Sequence, residues 1–122
     1  MNYHELQELM SNIGTDNTED IFELGPKILF ITMGGQGSRV ITPDNTVTIP
    51  AIKPPEIQDT TGAGDAFVGG AVAALLQDRS PAVAARFGST ASSFIIEKTG
   101  CQTNIPGQTD FIERYRQNFG QL

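Results

Sequence analysis

Apolar residues recur at helical spacing between Tyr3 and Ile13, where Leu6, Leu9, Met10 and Ile13 share one face and Gly14 follows as a stop. That spacing predicts an amphipathic helix. Asn17 or Thr18 stands where a cap would open a second, shorter helix bearing Ile21, Phe22 and Leu24, closed by Gly25 and Pro26. The period then changes. From Lys27 to Met33 the chain is a continuous β-branched and aromatic run, as expected of a strand buried on both faces by helices. Gly34 to Gly37 reads as a turn, and Ser38 to Thr42 and Thr46 to Pro50 as short strands joined by Pro43, Asp44 and Asn45 in a hairpin.

Pro50, Pro54 and Pro55 predict an extended, irregular segment that runs into Asp59-Thr-Thr-Gly-Ala-Gly-Asp65. Helical pattern resumes from Ala66 to Gln77, where Gly69, Gly70, Ala71, Ala73 and Ala74 would allow close packing against a neighbour. Ser80 and Pro81 are a cap and a first-turn proline, which predicts a further helix from Ser80 to Lys98 with Gly100 as its left-handed terminator. Thr109 is placed to cap a last helix carrying Phe111, Ile112, Tyr115 and Phe119 at core spacing. The order of helices, buried strand, hairpin and helices points to an α/β fold.

At 122 residues the chain suits one domain or a piece of one. Surface scaling gives a folded area of about 6,400 Å², roughly a third of the unfolded value, so a real core can form. Eight Lys and Arg against 14 Asp and Glu leave a formal charge of −6, the wrong sign for a chain that neutralises phosphate backbones. Nucleic acid is not expected as a partner. The longest apolar or small stretch, Ala66 to Leu76, is too short to span a membrane, and Met1 to Met10 carries charge rather than a signal core. A soluble, cytoplasmic protein is the expectation. Cys101 is the only cysteine and has no metal-ligand spacing around it, so it is assigned a structural role. His4, the only histidine, reads as a surface helix residue.

The stretch from Asp59 to Phe67 sets a glycine-rich turn directly before a small-residue helix. Unpaired amides and the positive end of the helix dipole then converge on one place, which suits a phosphate. Asp65, in the first turn, would be held ionised by that dipole and available to accept a proton. On residue grounds alone, Asp65 as a plain helix cap and the glycines as plain turn formers account for the same string. Two other positions are similarly open. Asn2 and Glu5 have the spacing of a capping box, and Thr32 to Gly37 lacks both the Walker and the dinucleotide-binding spacing.

The string from Asp59 to Phe67, followed by Gly69 and Gly70, closely resembles the C-terminal signature of the ribokinase (PfkB) family of carbohydrate kinases. The resemblance runs over nearly the whole chain, 1–122, from just before an N-x-x-E motif at Asn2 and Glu5. It implies the C-terminal part of a ribokinase-like three-layer α/β/α sandwich, carrying the nucleotide and phosphoryl-transfer half of the domain. By the same resemblance, Asp65 is the base that deprotonates the acceptor hydroxyl, and the amides of Gly62, Ala63 and Gly64 form the anion hole. ATP is the implied donor and a sugar or nucleoside the implied acceptor. Asn2 and Glu5 would organise Mg²⁺ through its waters, which a capping box does not forbid.

Thr32, Gly34 and Gly37 would lie along the nucleotide, against the alternative of a plain strand-end turn. Gly88 and Ser92 would border the base, with close helix packing the alternative for Gly88. Asp59 and Thr61, with loop carbonyls between Gly100 and Asn104, would hold a monovalent cation such as K⁺. The family's N-terminal part, with most acceptor contacts, has no counterpart in this chain, so apolar sheet edge and helix surface should be exposed unless a partner or self-association covers them.

Overall fold

A computed structural model describes residues 1–122. Asn2 opens the first helix, α1 (Tyr3–Ile13), through a reciprocal capping box: its side chain accepts the Glu5 amide, while the Glu5 carboxylate accepts the Asn2 amide, both at 2.8 Å. Two orphan donors are satisfied at once. Gly14 closes the helix in the left-handed conformation. A single short turn, α2 (Glu19–Phe22), follows; Asn17 rather than Thr18 supplies the side-chain bond, accepting the Glu19 amide at 3.0 Å.

The buried run forms β1 (Leu29–Thr32), shorter than the pattern from Lys27 to Met33. A 3₁₀ turn over Gly34–Gln36 reverses the chain into β2 (Ser38–Ile41), which pairs antiparallel with β1 and with β3 (Thr46–Ile49) in the order β1-β2-β3. Leu29 stands opposite Ile41, and Val40 opposite Val47. On the free side of β1 the chain's first residues add a parallel bridge: Met1 donates to the Phe30 carbonyl, and Thr32 donates to the Met1 carbonyl, both at 2.9 Å.

Three long helices complete the chain, α3 (Ala63–Leu75), α4 (Pro81–Ile95) and α5 (Gln108–Phe119). Strand alternation divides the core between the two sheet faces. Leu29 and Ile31 pack with Leu6, Met10 and Ile21 of α1 and α2, while Val40 and Ile49 pack with Phe67, Ala71, Ala84 and Phe87 from the other side. Helices therefore cover both faces of the sheet, the expected three-layer arrangement. Tyr115 is fully buried, edge-on to Phe87 at 5.3 Å, so the α5 aromatics form the packing stripe that their spacing predicts.

Several boundaries differ from the sequence pattern. The helix predicted from Ala66 starts at Ala63, because the glycine turn itself supplies the first helical residues. Of its small residues, Gly70 makes the closest approach, with no room for a Cβ against the Phe87 carbonyl, whereas Gly69 and Ala73 face outward. The α4 helix ends at Ile95, before Lys98, and Gly100 has a positive φ in the loop beyond rather than at the helix end. Gly107, not Thr109, occupies the N-cap of α5, and no side chain caps that end.

The accessible surface is 7,324 Å², about 900 Å² above the value expected for a monomer of this mass. Large apolar side chains are exposed along one face. Val68 and Val72 of α3, and Leu76 at its end, are 58%, 46% and 81% exposed, and Leu24 on the α1 side is 64% exposed. No helix is long and apolar enough to cross a membrane.

Candidate active site

The turn before α3 is built by Asp59 and completed by a residue far along the chain. One carboxylate oxygen of Asp59 accepts the Thr61 amide at 2.9 Å, an Asx turn, and the other accepts the Gly100 amide at 3.0 Å. These amides, Gly100 first, hold its carboxyl below the usual carboxylate range. Gly62 then takes φ +85°, and a Cβ there would stand 2.4 Å from that of Cys101. Both the conformation and the space demand glycine. The assigned structural role of Cys101 is contact with this turn, although its side chain is exposed.

With that geometry the N-terminal amides of α3 open outward. Ala63 donates to the Thr60 carbonyl at 3.2 Å, while the amides of Gly62 and Gly64 have no partner in the chain. The amide of Asp65 is also free, a further donor that the glycine pattern did not indicate. Ser92 of α4 donates to the Ala63 carbonyl at 2.7 Å and fixes the first turn to its neighbour. Asp65 is the third residue of the helix and is exposed.

Two cavities meet at this point. One, of about 590 Å³, runs between the strand-end turn and α4; Thr32, Gly34, Gly37, Ala63, Gly64 and Ser92 all line it. Its outer wall is the proline segment, with Ile52, Pro54, Pro55 and Ile57. The other, of about 610 Å³, lies between α1 and α3 and takes in Asn2, Glu5, Gly64 and Asp65 beside a largely apolar floor. Thr32, Gly64 and Phe67 line both, so the free amide of Gly64 sits where the two spaces join, with Asp65 on the wall of the second.

One expected residue lies elsewhere, and another has its side chain engaged. Gly88 does not line the first cavity: a Cβ there would stand 2.7 Å from the Phe67 ring, so the small residue serves helix packing. Asn104 spends its side-chain amide on the Phe94 carbonyl at 2.8 Å and on Glu97 at 3.1 Å. Sequence reasoning missed Ser89, 7% exposed on the cavity wall, and the contribution of residues 51–57. The run of prolines was the available signal for a rigid wall, but its position depends on the tertiary fold.

The residues present bear differently on the two implied cations. No group of three or more His, Cys, Asp or Glu side chains stands together, so a divalent ion has no all-protein cage. Mg²⁺ retains waters and binds through phosphates, and Asn2 and Glu5, the residues that would meet such waters, line the second cavity. For a monovalent ion, Asp59 ties the two implicated loops together, and both its oxygens already accept amides.

Residues 1–108 match the family described as pfkB family carbohydrate kinase. The chain is 36% identical over 119 residues to a nucleoside kinase of Methanothermobacter thermautotrophicus, covering 98% of this chain and 38% of that one. The crystal structure of Methanocaldococcus jannaschii nucleoside kinase, described as an archaeal member of the ribokinase family, superposes with a TM-score of 0.90 at 32% identity, covering 96% of this chain and 38% of that one. Burkholderia thailandensis nucleoside kinase in complex with ADP-inosine gives 0.90 at 30% identity, covering 98% and 37%. This chain thus spans less than two-fifths of the length of these relatives.

Proposed function

Since the chain belongs to the pfkB family of carbohydrate kinases, we propose that it is the phosphoryl-transfer part of an ATP-dependent kinase acting on a hydroxyl of a sugar or nucleoside. The observation that carries this reading is the free amide of Gly64 at the junction of two cavities, with the Asp65 carboxylate beside it on the wall of the second. The nucleotide occupies the cavity of Thr32, Gly34, Gly37 and Ser92, and its terminal phosphate reaches the amides of Gly62, Gly64 and Asp65. Those donors stabilise charge on the phosphoryl oxygens during transfer. Asp65 accepts the proton of the acceptor hydroxyl from the other side. Mg²⁺, when bound, neutralises phosphate charge, and Asn2 and Glu5 orient its waters. Asp59 and Thr61, with the loop from Gly100 to Asn104, provide the place for K⁺.

The exposed apolar face of α3 is the surface that the remainder of the kinase fold, carried by the longer relatives, would cover. The test is acceptor-dependent conversion of ATP to ADP across a panel of sugars and nucleosides, with Asp65→Asn as the paired variant. The substitution should lower turnover about 10²- to 10⁴-fold, the usual contribution of a general base, while ADP affinity is retained. Acceptor-dependent turnover that survives in Asp65→Asn would sink the reading. Absence of turnover with retained ADP binding would favour a nucleotide-binding fragment.

A further inference from the structure

The loop from Thr99 to Gln102 is exposed over most of its length, yet Cys101 lies directly against Gly62 of the anion turn. Its fixation can be traced outward. At one end the Gly100 amide bonds to Asp59; at the other, Asn104 bonds to one oxygen of Glu97. The second oxygen of Glu97 meets the Arg114 guanidinium of α5 at 2.7 Å, with both side chains only about one-fifth exposed. Arg114 is itself held, lying 3.6 Å over the Phe94 ring and donating to Ser93 at 3.1 Å. Just before Glu97, the Ile96 carbonyl accepts the Gln58 and Asp59 amides, so the same short segment anchors both loops.

We infer that Arg114 and Glu97 form a latch through which α5 positions the loop 99–104, and thereby the anion turn at Gly62, making Arg114 a positioning residue for the phosphoryl site. This rests on the proposed anion site. A guanidinium fork suits the task because it can serve Glu97 and Ser93 together while its plane stacks on Phe94. Without it, Glu97 would keep Asn104 but lose the group that fixes its own rotamer.

Arg114→Met keeps the apolar stem on Phe94 and removes the fork. Amide hydrogen exchange is the first readout: Gly100 should exchange about tenfold faster than in the unaltered chain, the effect of losing one partly buried charged hydrogen bond. The amide of Tyr115 is the internal control, since general destabilisation would accelerate both alike. ADP binding by calorimetry is the second readout, with affinity expected to fall about fivefold, and Arg114→Lys should recover part of both effects because it restores charge without the fork. Unchanged exchange at Gly100, or acceleration no greater than at Tyr115, overturns the latch. Faster exchange with unaltered ADP affinity overturns its positioning role. Should the unaltered chain fail to bind ADP, the nucleotide reading falls, and the exchange arm still decides the latch.

Discussion

Gly88 lies inside α4, where replacing it by alanine would ordinarily favour a helix by about 1 kcal/mol. Here the added methyl would stand 2.7 Å from the Phe67 ring, which is 5% exposed and stacks edge-on against Phe30 at 6.2 Å. The ring has little room to yield. Overpacking of this kind costs about 1 to 3 kcal/mol and should outweigh the gain in propensity, so Gly88→Ala is expected to lower the urea midpoint. A raised midpoint would mean that Phe67 can swing aside. Phe67 also lines both cavities, so the packing that excludes a side chain at Gly88 shapes the site as well. The glycine was legible in the sequence as a place needing no side chain. What fills that space was not, because Phe67 comes from another helix.

For whole elements, α1 shows how one local motif can carry two roles. The capping box of Asn2 and Glu5 was readable from spacing alone, as were the two ends of the helix, since each bond in the box is made within one turn. Asn2→Ala should cost about 1 kcal/mol in thermal or chemical denaturation. Glu5→Gln separates the roles, because glutamine can still accept the Asn2 amide but carries no charge: stability should change little, while Mg²⁺-dependent turnover falls. Equal loss of stability in both variants would reduce Glu5 to a cap. The start of α3 shows the opposite case. Its pattern suggested Ala66, but Ala63 and Gly64 enter the helix because Asp59, Ser92 and Cys101 hold the turn from outside.

Across the whole molecule, the surface excess and the apolar strip along Val68, Val72 and Leu76 mark a face shaped for cover. The chain by itself should therefore sediment above monomer mass, and a Val68→Asp, Val72→Asp pair, which disrupts the strip without touching either core cluster, should return it to monomer. A monomeric unaltered chain would show that the strip is tolerated in water. The sequence by itself determined the elements, the hairpin, the capping box and the glycine-rich turn, because these depend on spacing and hydrogen bonds between near neighbours. Only the tertiary structure decided that Cys101 abuts Gly62, that Asp59 ties two loops together, and that Gly64 lies where two cavities join. Those relations bring together residues distant along the chain, and no local pattern encodes the distance at which packed helices set them.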